Sequence, residues 1–104
     1  DYIHIRDLAQ AHIAGLVHGP MGFYNLGNGD GYSVREVNQM CEEITGVHIP
    51  AVEKPRRAGD PPKLVAGADK AFKELSWNPQ YPKLRDIVST AWAWHQKHPD
   101  GYPD

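Results

Sequence analysis

The chain has 104 residues, enough for a single domain with a modest core. Its 40% hydrophobic and 23% charged residues exclude a disordered chain, and a net charge of −2 gives no electrostatic footprint for nucleic acid or an anionic membrane. No apolar run approaches the roughly 20 residues of a membrane span, and the single cysteine, Cys41, excludes an internal disulfide and makes a cytoplasmic location the expectation.

The opening "DYIHI" alternates apolar and polar residues and predicts a short strand. Asp7 then stands where it can cap a helix carrying Leu8, Ala9, Ile13, Leu16 and Val17 on one side at the helical period. "HGPMG" stops that helix. "FYNLGNGDGY" follows as a strand of about four residues and a glycine-rich loop. Ser33 and Glu36 have the S-x-x-E spacing of a capping box. They open a helix that buries Val34, Val37, Met40, Cys41 and Ile44 and ends at Gly46. "VHIPAVEK" reads as extended and "PRRAGDPP" as a loop. A short helix is expected near residues 69–75 with Asp69 as its cap, and a last amphipathic helix carries Leu84, Ile87, Val88, Ala91 and Trp92 until Pro99. The reading is α/β: short strands, three or four at most, with about four helices in one small domain.

Most of the chemistry-bearing residues have a plain structural role to play. His95 and His98 could share a helix face, but no cysteine or carboxylate joins them at ligand spacing, so they read as packed or capping histidines and no metal is expected. His12 reads as a hydrogen-bonded core histidine and Cys41 as core. Trp92 reads as core, while Trp94 falls off the main stripe and can face a partner. "GNGDG" lacks the third glycine of a dinucleotide-binding loop and reads as a loop, although the helix start at Ser33–Val34 could face a ligand.

"KPRRAGDPPKL", residues 54–64, is different, because prolines stiffen a loop that carries four cations and one carboxylate. A guanidinium fork suits a phosphate, and Asp60, three after Arg57, can accept from a hydroxyl pair such as a ribose diol. Such a pair could hold a nucleoside diphosphate at both ends. It could equally close on itself as an internal Arg–Asp pair on a surface loop.

Taken together, "DYIHIRDLAQAH", "FYNLGNGDGYSVREV", "KPRRAGDPPKLVA" and "HPDGYPD" resemble, in order and spacing, the C-terminal third of the UDP-glucose (UDP-galactose) 4-epimerases, which are extended short-chain dehydrogenases. The resemblance spans essentially the whole chain. It implies an NAD-binding Rossmann domain upstream and a C-terminal part that grips the UDP of UDP-glucose or UDP-galactose. By motif match, Arg57 falls on a diphosphate ligand and Asp60 on a ligand of the uridine ribose. Leu64 falls beside the sugar's 2-substituent and Val34 beside the uracil-ribose. An arginine that precedes "DYIH" in the family would be a second diphosphate ligand, and this sequence starts one residue later.

Neither a G-x-x-G-x-x-G loop nor a Tyr-x-x-x-Lys pair occurs in the sequence. The expectation is therefore a piece of an isomerase, residues 1–104 forming the substrate-binding domain alone. Such a piece would be inactive, would have no NAD bound to it, and would be prone to homo-oligomerise through apolar surface. Other readings are a piece of another nucleotide-sugar epimerase or dehydratase, or a stand-alone binding module. Two departures from the family pattern, "VAG" for "VAD" and "ELSW" for "ELGW", read as structural; the second leaves a helix end at Ser76 without its usual glycine.

Overall fold

The computed structural model describes residues 1–103. Four helices follow one another: α1 (Ile5–His18), α2 (Val34–Thr45), α3 (Asp69–Glu74) and α4 (Leu84–Lys97). All four lie where the periodicity places them, but two caps differ. His4, not Asp7, caps α1: its Nδ1 accepts from the Arg6 amide at 3.0 Å, and its Nε2 meets Thr90 Oγ1 at 2.8 Å. Asp69 is the first residue of α3, which has no side-chain cap. At α2 the capping box closes as expected. Glu36 accepts from the Ser33 amide at 2.7 Å and Ser33 Oγ from the Glu36 amide at 3.1 Å. Gly46 ends the helix at φ 70°.

The α/β expectation is overturned: among the described residues there is no strand and no sheet. Stretches such as residues 1–4 and 22–27 lie outside the helices, but a strand exists only through a ladder of backbone bonds to a neighbour. Here side chains stand in the place of that ladder. The Asp1 carboxylate accepts from the Asn28 amide at 3.2 Å and the Ala66 amide at 3.1 Å, and Asn28 Nδ2 donates to the Tyr2 carbonyl at 2.7 Å. Gly27 is obligatory at this junction, since a Cβ there would run into Asp1 Oδ2 and lie 2.8 Å from the Ala66 Cβ.

The core is small. Ala11, Ala68, Ala71, Leu75 and Trp77 form it, with Ile3, Ala14, Tyr24 and Leu26 packed around them. Asp7 is buried beside this cluster with both carboxylate oxygens used: Oδ1 accepts from the Gln80 amide at 2.7 Å and Oδ2 from the Tyr81 amide at 2.9 Å. Its carbonyl takes the Trp77 indole N–H at 2.8 Å. Separately, α2 lies against α4. Val37, Met40, Cys41 and Ile44 are half-buried, whereas Val34 is exposed and no residue of α2 is fully buried.

On α1 it is the small face that is covered. Asp7 and Ala11 face the core, while Ile13, Leu16 and Val17 face outward on the opposite side. The molecule is correspondingly open. Its radius of gyration is 16.3 Å, against about 13 Å for a compact domain of this length. Its accessible surface of 8372 Å² exceeds the roughly 5,800 Å² of a compact monomer of this mass by about 2,500 Å².

Three measurements follow from these local arrangements. Ser76 is the one non-glycine residue at positive φ (49°) among the described residues, at the end of α3, so Ser76→Gly should raise stability by up to about 1 kcal/mol in urea denaturation. Asp7→Asn presents an amide N–H to one of two buried donors and should lower stability by about 1–3 kcal/mol with an unchanged denaturant slope. The Ser33 amide, and then the Ser33 side chain, hold the Glu36 carboxyl below its ordinary pKa of 4.5. A depressed folded pKa means that Glu36's support of α2 is complete above 4.5 and is lost as pH falls through the lowered value. Helical circular dichroism should therefore decline over that window, and less steeply in Glu36→Gln.

Candidate functional site

Residues 57–60, Arg-Ala-Gly-Asp, form a tight turn in which the Asp60 amide donates to the Arg57 carbonyl at 3.4 Å. Gly59 has φ 86°, the left-handed conformation that the third position of a type II turn demands. The turn places its first and fourth side chains next to each other, and Arg57 Nε donates to Asp60 Oδ2 at 2.9 Å. Arg56 closes the other side by donating to the Asp60 carbonyl at 3.0 Å. The internal ion pair left open by the sequence is thus formed. Both side chains are nonetheless accessible, 86% for Arg57 and 45% for Asp60. An exposed pair of this kind is worth about 0–1 kcal/mol, so an incoming anion could take the guanidinium at little cost.

Both ends of the loop are fixed beside the start of α2. On the incoming side Glu53 forms an ion pair with Arg35 in the first turn of α2. On the outgoing side residues 63–65 lie against the loop that leads into α2: a Cβ on Gly31 would be 2.9 Å from Val65 Cγ2. The Asp1 amino group donates to the Leu64 carbonyl at 2.7 Å, and the Asp1 carboxylate holds the Ala66 amide. The chain's first residue, the return of the basic loop and the Gly27–Gly31 loop are therefore bound into one edge.

Of the four residues singled out from sequence, Arg57 and Asp60 are paired directly. Leu64 (74% exposed) and Val34 (78% exposed) open to solvent on the two segments that flank the loop. Sequence reasoning passed over Asp1, which carries three of the bonds that tie this edge together, and Asn28, which carries two. Neither residue carried a signal of this role: Asp1 heads an alternating segment and Asn28 sits in a glycine-rich loop.

The remaining candidates occupy structural positions. His12 is exposed rather than core, its Nδ1 2.8 Å from the Leu8 carbonyl; the buried histidine is His4. Trp94 is half-buried, stacked on His98 at 4.7 Å and met edge-on by His95 at 5.1 Å, while Trp92 is only half-buried. Cys41 is half-buried on the α2 stripe. Among the described residues no helix is long and apolar enough to cross a membrane, and no group of three His, Cys, Asp or Glu side chains could hold a metal. Away from the loop, the Tyr24 hydroxyl donates to Glu74 at 2.7 Å. That hydrogen bond, then burial and the Glu74 charge, push the phenol above its ordinary 10.

No protein-family model matches the chain. Among curated proteins, the UDP-glucose 4-epimerase of Halalkalibacterium halodurans is 50% identical over 106 residues, covering 98% of this chain and 32% of that protein. The UDP-glucose 4-epimerase of Corynebacterium glutamicum is 54% identical over 96 residues, 89% of this chain and 29% of that one. A crystal structure of UDP-glucose 4-epimerase superposes with a TM-score of 0.91 at 49% identity, covering all of this chain and 33% of its own. The chain spans about a third of the length of the curated relatives it matches. Over its whole length it corresponds, in sequence and in fold, to the C-terminal third of the UDP-glucose 4-epimerases.

Proposed function

We propose that these residues are the nucleotide anchor of an NAD-dependent UDP-glucose/UDP-galactose 4-epimerase, and that the Arg57–Asp60 turn is its gripping element. One observation carries this reading: a stiff, accessible loop holds a guanidinium and a carboxylate 2.9 Å apart, in a chain matched end to end by UDP-glucose 4-epimerases. Arg57 suits the diphosphate, which a planar fork can take with two parallel bonds. Asp60, released from Arg57, suits the ribose diol as a pure acceptor. Leu64 and Val34 supply apolar contact to the sugar and to the uracil-ribose.

The reaction itself, hydride removal from and return to the sugar's C4, is chemistry that NAD supplies. The residues of this chain hold the nucleotide still while the sugar turns. Firm grip on one end and looseness at the other is what a 4-epimerase needs, because the keto-sugar must present both faces.

The anchor acts on affinity, so it is tested by ligand-linked stability. One guanidinium and one carboxylate give binding of roughly millimolar strength, about 4 kcal/mol. At about ten times that Kd, UDP stabilises by about 1.4 kcal/mol and should raise the thermal midpoint by several degrees. In Arg57→Ala the rise should vanish while the midpoint without UDP stays put, because Arg57 is exposed. Uridine alone should give less than UDP. A cooperative melt indifferent to UDP, or a UDP shift undiminished in Arg57→Ala, would count against the anchor.

A further inference from the structure

Asp1 reaches backbone groups on two other segments. Its nitrogen donates to the Leu64 carbonyl at 2.7 Å, and its carboxylate accepts from the Ala66 amide at 3.1 Å and from the Asn28 amide at 3.2 Å. Asn28 answers from the glycine-rich loop, its Nδ2 donating to the Tyr2 carbonyl at 2.7 Å. The turned-over amide would set oxygen against oxygen there, so the Tyr2 carbonyl fixes its orientation. Asn28 Oδ1 is buried and no protein group donates to it, so the side chain works through its N–H alone.

These bonds grip the backbone on either side of Val65, with the Asp1 carboxylate standing where a neighbouring strand would offer a carbonyl. Two glycines give the segment room on its loop side: a Cβ at Gly31 would be 2.9 Å from Val65 Cγ2, and one at Gly27 would be 2.8 Å from the Ala66 Cβ. Leu64 is 74% exposed, so its backbone, and not packing, decides where its side chain stands. The turn at 57–60 is closed separately. Arg57 Nε donates to Asp60 at 2.9 Å and Arg56 to the Asp60 carbonyl at 3.0 Å, and neither bond involves Asp1 or Asn28. Pro61 and Pro62 stand between turn and clasp and stiffen the join.

Resting on the epimerase reading above, in which Leu64 meets the sugar's 2-substituent, we infer that Asp1 and Asn28 are positioning residues for the sugar end of the ligand. Their clasp sets where Leu64 stands, and so which substituents at the sugar's C2 are admitted. The turn at 57–60 sets how firmly the UDP is held. One carboxylate shared by two backbone N–H groups suits the task, since bonds to a charged acceptor are the stronger kind.

The test uses two substitutions in the 104-residue chain. Asn28→Asp removes the single N–H, sets an oxygen against the Tyr2 carbonyl and adds a second carboxylate beside Asp1. Asp1→Asn turns an N–H towards one of two donors. Amide hydrogen exchange should find Ala66 protected in the parent and freely exchanging in both variants. Affinities for UDP, UDP-glucose and UDP-N-acetylglucosamine follow from the concentration dependence of the thermal midpoint. Both variants should lose at most about twofold in UDP affinity, while the ratio of the two sugar nucleotides' affinities changes by about fivefold. A merely structural role would lower the midpoint and leave that ratio where it was. Leu64→Ala should change the ratio too, and Asn28→Asp should add nothing further in the Leu64→Ala chain, because it acts through Leu64.

An Ala66 amide that exchanges freely in the parent would overturn the inference. So would a ratio that neither variant moves, or effects of Asn28→Asp and Leu64→Ala that simply add. Failure of the reading beneath it looks different. UDP affinity undiminished by Arg57→Ala would end the anchor and leave the clasp to be decided by the sugar ratio. No midpoint response to any of the three ligands would end both.

Discussion

Everything in the small core hangs on the buried carboxylate of Asp7. A carboxylate out of water is costly unless its lone pairs are filled, and here two consecutive backbone amides, of Gln80 and Tyr81, fill them. Asp7 also lies in the first turn of α1, where the helix's free N–H groups favour negative charge. Its own carbonyl receives the Trp77 indole, which fixes that ring against Ala68, Ala71 and Leu75. One residue thus joins the start of α1 to the turn between α3 and α4. The buried His4 adds a second tie, its Nε2 2.8 Å from Thr90 Oγ1 on α4 and its ring 4.6 Å from that of Tyr81.

The helices were legible because their signals are local. A capping box, a glycine at a helix end and a 3.6-residue period are each contained within one element, and α1 to α4 appear where those signals lie. The strands were not legible as such, because alternation in "DYIHI" or "FYNLG" reports only that a segment can be extended. Whether it pairs depends on a neighbour that no short-range pattern contains. In this chain the neighbouring segments are joined by the side chains of Asp1 and Asn28 instead. Periodicity was likewise right about α1 being two-faced and silent about which face the chain itself would cover. The small face, Asp7 and Ala11, is buried, and the large one is left open.

The candidate site divides along the same line. That Arg57 and Asp60 meet could be read from their spacing around a glycine, since a four-residue turn sets its first and last side chains together. That their loop is tied down beside α2 could not, because Glu53–Arg35, Gly31–Val65 and Asp1–Leu64 join residues 18, 34 and 63 positions apart. Of Asp1's role there was no signal at all: an aspartate at the head of an alternating segment looks like a solvated residue.

The two halves of the design have opposite mechanical needs, and the structure meets them with different means. The core is held by packing and saturated buried polar groups, which resist displacement. The loop has almost no packing; its order comes from three prolines, a positive-φ glycine and exposed ion pairs. Prolines and the turn reduce the freedom that a ligand of the proposed kind would have to remove, without burying the charges it would reach. The ion pair keeps Arg57 extended towards Asp60 yet is weak enough in water to be exchanged for a phosphate. A buried pair in the same place would be more rigid and would bind less, because breaking it would leave a desolvated charge behind. If the Arg57–Asp60 turn is the anchor proposed above, its exposure is a condition of that use.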